Sequence, residues 1–328
     1  MSAQGRRKAA SFSLAGLILR RLGLGLGLLL AVSLMIFVGI EILPGDFATT
    51  YLGQSATPEA VAAIRAELGL DRPLLLRYAE WLGGFLQGDF GASWASRMPV
   101  AGQVADRMGN SLFLAFVAAI IAIPLAIFLG LLAVLTRDSL LDRAINVVTL
   151  AAISLPEFFV GYILILFFAV QLGISTYPST VYAGMSLGAK LEVIVLPVAT
   201  LVLVVLAHMM RMTRAAIISV LSSAYMETAE LKGLSAWRAI WRHAAPNAIA
   251  PIVNVVALNL AYLIVGVVVV EVVFVYPGMG QDMVDADTER EMTVEQACGM
   301  IFAAVYILLN ISADIIAIMS NPKLRRPR

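Results

Sequence analysis

A single cysteine, Cys298, is too few for an intrachain disulfide or a multi-cysteine metal site, and two histidines, His208 and His243, leave little from which to build another. Neither a metal nor an organic cofactor is therefore expected. Charge is also scarce: 14% of the 328 residues are Asp, Glu, Lys or Arg, and the formal net charge of +1 exerts no global pull on nucleic acid. No G-x-x-x-x-G-K-[ST] occurs; the nearest approach, GMSLGAK at Gly184–Lys190, lacks both the spacing and the hydroxyl residue, so ATP is not expected to bind this chain. A G-x-S-x-G elbow and an H-E-x-x-H helix are missing too, which leaves enzyme chemistry unsupported. LGLGLG at Leu22–Gly27 fails the dinucleotide fingerprint and reads as small residues that let membrane helices approach.

What the chain has is apolar length. Hydrophobic residues make up 60% of it, and a mean hydropathy of +0.90 cannot be hidden in one soluble core. Six stretches reach the roughly 20 residues needed to cross about 30 Å of hydrocarbon. They lie at about 23–43, 112–135, 146–170, 192–210, 250–275 and 298–319. The basic N-terminus resembles the start of a signal peptide, but the run behind it has span length, so it is expected to be retained as the first membrane helix. The expectation is an all-α polytopic membrane protein with six spans over 23–319, a segment 1–22 before them and a basic tail 320–328 after them.

An even number of spans returns both termini to one side, and the placement of Lys and Arg selects which. Sixteen of the 23 fall on the side of the termini, in the N-terminal segment, 136–145, 211–249 and the tail. Seven fall opposite: Arg65, Arg72, Arg77, Arg97, Arg107, Lys190 and Arg290. Positive-inside puts both termini in the cytosol. The loop at 44–111 is then external, and TPEAVAAIRAELGL, opening on Thr57-Pro58, and LLLRYAEWLGGFL after Pro73 predict a small helical cap there.

Residues 211–249 form the long cytosolic loop. Within it, YMETAELKG ends at Gly233, a natural residue for reversing a helix, and Ser235 can cap a second helix with Trp237 and Trp241 on one face and Arg238 and Arg242 beside them. An interfacial helix with tryptophans at headgroup level accounts for the second half. It accounts less well for Glu227 and Glu230, which an anionic inner leaflet repels; a protein-docking surface is the other reading.

Four acids stand in or near the spans. Glu41, Glu271 and Asp314 lie near span ends, where snorkelling and water are expected to satisfy them. Glu157 is deeper, directly after the helix-breaking Pro156, and reads equally as lining of a solute path or as internal packing.

The run Glu227-Thr228-Ala229-x-x-x-Gly233, with Pro246 thirteen residues on, resembles the EAA loop of membrane subunits of binding-protein-dependent ABC importers. ILPGDFA (Ile42–Ala48), ELGLDRPLLLRYAEWLGGFLQGDFGAS (Glu67–Ser93), TAELKGL (Thr228–Leu234), RHAAPNA (Arg242–Ala248) and VVVEVVFVYPGMG (Val268–Gly280) are similar to the oligopeptide/dipeptide permease branch, and the likeness runs from about Leu17 to Pro322. Phe47 and Glu157 stand where that branch usually has Pro and Ser, and Thr228 stands for the alanine that names the motif.

The resemblance implies the type I ABC importer transmembrane fold and a permease in a bacterial or archaeal cytoplasmic membrane. As coupling residues it implies Ala224, Tyr225, Glu227, Thr228, Ala229, Lys232, Gly233 and Pro246. Implied partners are a second homologous permease, two ATPase subunits and an extracytoplasmic solute-binding protein, within a lipid bilayer. The implied solute is a di- or oligopeptide, although relatives of the branch carry nickel, glutathione, opines or oligosaccharides. An ion-coupled secondary carrier is the alternative class. It would want intramembrane acids and an internal repeat, and no repeat is visible.

Overall fold

A computed structural model describes residues 14–42, 45, 47–223, 226, 233–235, 238 and 245–320. Helix α1 (Leu14–Ile42) leads to a cap of short helices, α2 (Phe47–Leu52), α3 (Pro58–Glu67) and α4 (Leu74–Leu86). Then follow α5 (Val100–Leu135), α6 (Leu140–Ser154), and α7 (Glu157–Leu164), which runs into a π-helical stretch over Ile165–Gln171. The remainder is α8 (Leu187–Val193), α9 (Val195–Leu221), α10 (Ala245–Phe274), α11 (Met279–Glu289) and α12 (Met292–Ser320).

Five of these helices are long and apolar enough to cross a membrane, and α6 with α7 makes a sixth candidate bent by 102°. The count therefore agrees with six spans, but the third is broken rather than merely kinked. The cause is local. A residue before proline is pushed out of the helical region, and Leu155 is extended (φ −92°, ψ 131°), as is Pro156 (φ −61°, ψ 145°).

The second span also differs from expectation. It begins twelve residues earlier than the apolar run, at Val100, so that α5 has 36 residues and a length of roughly 54 Å. Its first turns join the cap, where Val100 and Val104 pack with Met279, Ala286, Val294, Ala297 and the fully buried Cys298.

The expected cap helices form. Thr57 caps α3 by accepting from the Ala60 amide at 3.3 Å, with Pro58 in the first turn, and α4 starts directly after Pro73. The cap is sewn to α1 by Arg77, whose Nη1 donates to Glu41 at 2.8 Å while its guanidinium lies 6.0 Å from the Phe37 ring centre. Phe37 also meets Tyr78 and Trp81, giving the cap an aromatic seam on α1. Two backbone amides, of Trp94 and Ala95, donate to Glu291 and tie the following loop to the start of α12.

Helix α9 is the axis of the bundle. It packs against α5, α10, α6 and α7, and Leu201, Val205, Met209 and Met210 sit in the main core with Leu114, Ala118 and Ala122 of α5 and Leu263, Val267 and Val270 of α10. Helix α1 lies outermost, against α12.

Candidate functional site

Three places in the bundle hold polar groups that helix packing alone does not require. The first is the base of the long loop between α9 and α10. Ile217 of α9, Ala248 and Ile252 of α10, and Leu131 and Val134 at the end of α5 form one buried apolar cluster, so both roots of the loop stand on the same footing.

Beside that cluster, Arg214 of α9 donates from Nη2 to Asp142 Oδ2 at 3.0 Å. Asp142, on α6, is almost completely buried. It also accepts from the Asp138 amide and from Asn146 Nδ2, and its own amide donates to Ser139, the N-cap of α6. A buried carboxylate so fully engaged fixes the α5–α6 turn to α9. Ser139-x-x-Asp142 is a capping pattern that the sequence reading missed, and the pairing with Arg214, 72 residues away, had no local signal.

Within the loop, Met226 is buried against Val220 and Leu221, and Gly233 has φ +78°, the left-handed conformation expected for it. Pro246 is the second residue of α10, where its missing amide hydrogen costs nothing. Ala224, Tyr225, Glu227, Thr228, Ala229 and Lys232 lie outside the described residues, as do Glu230, Trp237, Trp241 and Arg242.

The second place is Glu157. It opens α7 at the 102° bend and its carboxylate reaches α10 at Gly266, one turn along that helix from Tyr262. Space for it exists because residue 266 is glycine: a Cβ there would stand 3.0 Å from Oε2 and 3.4 Å from Oε1. The Tyr262 ring in turn faces His208 of α9, with 5.8 Å between ring centres. Three polar side chains from α7, α9 and α10 thus meet inside the span region, where only Glu157 had been singled out.

The third place corrects an expectation. Glu271 does not reach water at a span end; it is fully buried. Ser111 Oγ of α5 donates to its Oε1 at 2.5 Å, and the Gly280 amide donates to its Oε2 at 2.6 Å. Ser111 accepts from the Met279 amide at 2.8 Å, and Asn110 Nδ2 donates to the Pro277 carbonyl at 2.8 Å. Glu271 is therefore the peg around which the Tyr276–Gly280 turn is folded onto α5. A side chain at Gly278 would occupy the carboxylate's own place. Near this turn, burial pushes the Asp282 carboxyl above its ordinary range while Gln103 and Arg107 pull it back.

Glu41 and Asp314 keep some exposure near span ends, but an arginine meets each where water was expected: Glu41 pairs with Arg77, and Asp314 meets Arg21 at 2.7 Å with both side chains about half exposed.

Five long apolar helices and a bent sixth candidate, with a helical cap at one end and a footed loop at the other, make a multi-pass membrane protein. Residues 122–326 match the family described as the binding-protein-dependent transport system inner membrane component, and residues 14–115 match its N-terminal region. The chain belongs to this family and is a permease subunit of an ABC importer, a component of the inner membrane that works with ATPase and binding-protein partners.

Similar proteins cover nearly its whole length. A probable peptide ABC transporter permease protein of Sinorhizobium fredii is 34% identical over 310 residues, 94% of this chain and 98% of that one. A putative peptide transport system permease protein of Brucella abortus is 32% identical over 314 residues, 95% of this chain and 99% of that one. The glutathione transport system permease protein GsiC of Escherichia coli K12 is 35% identical over 308 residues, 94% of this chain and 98% of that one.

Proposed function

We propose that this permease forms half of the translocation path for short peptides, with a second homologous permease as the other half and two ATPase subunits that hydrolyse ATP beneath them. Full-length similarity to permeases named for peptide transport carries this reading, and similarity to one named for glutathione, itself a tripeptide, favours the same solute class.

Both termini are cytosolic, 44–111 faces the binding protein, and 211–249 is the coupling loop. Its residues Ala224, Tyr225, Glu227, Thr228, Ala229, Lys232, Gly233 and Pro246 dock on the ATPase. The shared footing of Ile217, Ala248 and Ile252 supports this, because a load taken by the loop enters α9 and α10 together. A ligand shifts a two-state equilibrium only through contacts that differ between the states, so nucleotide-driven closure must act through an element that touches both subunits. Glu157 faces the path.

Cysteines placed in turn at 224–229 and opposite them on the ATPase should crosslink, with yields that change when nucleotide binds. The native Cys298 is fully buried and does not compete. Crosslinks formed only from 136–145 would move the coupling site to that turn.

A further inference from the structure

The three deep carboxylates of the bundle differ in how they are satisfied. Glu271 accepts from a hydroxyl and a backbone amide and has no exposure; Asp142 holds an arginine, an asparagine and an amide. Both are finished by the fold. Glu157 is not: among the described residues no cation pairs with it, its carboxylate lies against Gly266, and its side chain stays partly exposed.

It is also deep. Tyr262 lies twelve residues from the Phe274 end of α10, roughly 18 Å along the helix, close to the middle of a hydrocarbon layer about 30 Å thick. The fold keeps room for the carboxylate, since residue 266 has no side chain to displace it, and keeps Tyr262 about half exposed beside it, braced on His208. An acid at this depth stays ionised only when a cation or water meets it. A charge-assisted bond from an ammonium group to a carboxylate, next to an aromatic face, is the arrangement that Glu157 and Tyr262 can complete.

We propose that Glu157, with Tyr262, is a transient subsite in the membrane interior for the N-terminal ammonium of a peptide in transit, the cargo supplying the cation that the fold withholds. The inference rests on the peptide reading above.

The test uses the full complex in lipid with its loaded binding protein, held by a non-hydrolysable nucleotide. A membrane-permeant carbodiimide condenses a carboxylate and an amine in contact to an amide, itself taking up the expelled water as a urea. A labelled free-amine peptide should become attached at Glu157. A desamino analogue should not, and Glu157→Gln should abolish the adduct and lower peptide uptake about tenfold, the loss of one charge-assisted bond. Glu157→Asp, which keeps the charge, should keep part of both signals and shows that the site still folds.

A wild-type complex that imports the peptide without forming the adduct, together with Glu157→Gln importing at the wild-type rate, overturns the inference and leaves the peptide reading standing. A wild-type complex whose binding protein retains peptides but which imports none overturns both.

Discussion

At Gly233 the backbone carries φ +78° and a Cβ would meet no atom within 4 Å among the described residues. The left-handed backbone alone sets a penalty for a side chain there. A β-branched residue resists the left-handed region, so Gly233→Val should cost roughly 1–3 kcal/mol and tilt the preceding coupling segment away from its partner. Each 1.4 kcal/mol is about tenfold in occupancy, so peptide uptake and stimulated ATP hydrolysis should fall together while the protein still inserts. Gly233→Asn should be much milder, since Asn tolerates this region best among residues with side chains. Equal ATPase rates for all three proteins in assembled complexes would show the glycine to be only a tolerated loop residue. The positive φ was legible in the sequence because a glycine closing a run of helix formers is a local signal. The role of Glu271 was not, because its partners Ser111 and Gly280 come from another helix and from beyond a turn.

Between elements, one buried link is the ion pair of Asp142 with Arg214. Removing one partner of a buried pair leaves an uncompensated charge, at a cost of about 3–5 kcal/mol when burial is complete. Arg214 retains 24% side-chain exposure, which places the cost toward the lower end. Arg214→Met should lower thermal stability, and Asp142→Asn in the same chain should recover part of the loss, because no buried negative charge then lacks a partner. Additive losses in the double variant, measured by thermal unfolding in detergent, would mean that the two residues do not act as a pair.

Helix boundaries failed where propensity and hydropathy diverge. The twelve residues from Val100 are not apolar enough to extend a span, yet they are helical because Val100 and Val104 find buried partners on α11 and α12. Conversely, 146–170 reads as one apolar run, and the Leu155-Pro156 pair divides it by backbone sterics that hydropathy does not register.

For the molecule as a whole, the number of crossings was legible and their arrangement was not. Helix α9 has a lower peak hydropathy than α5, 2.0 against 3.0, yet 61% of its most apolar window is buried against 33%. Lipid tails are as apolar as leucine, so hydropathy records that a helix leaves water and not whether lipid or protein receives it. Orientation rests instead on the excess of Lys and Arg on the side of the termini. A reporter fused after Arg328 should be active as a cytosolic fusion, and one inserted near Gln54 as an external one. An externally accessible C-terminal fusion would invert the assignment.

The length of α5 has a mechanical corollary. Pro124 sits inside the helix, where it removes one backbone bond and makes bending easiest. About 36 Å of helix lies on the cap side of that point and about 16 Å on the loop side, at 1.5 Å per residue. A helix that bends there has a long arm toward the cap and a short one toward the loop, so a given change of angle moves the cap end about twice as far as the loop end. A small change of angle at one proline is thus felt most strongly where α5 meets the cap.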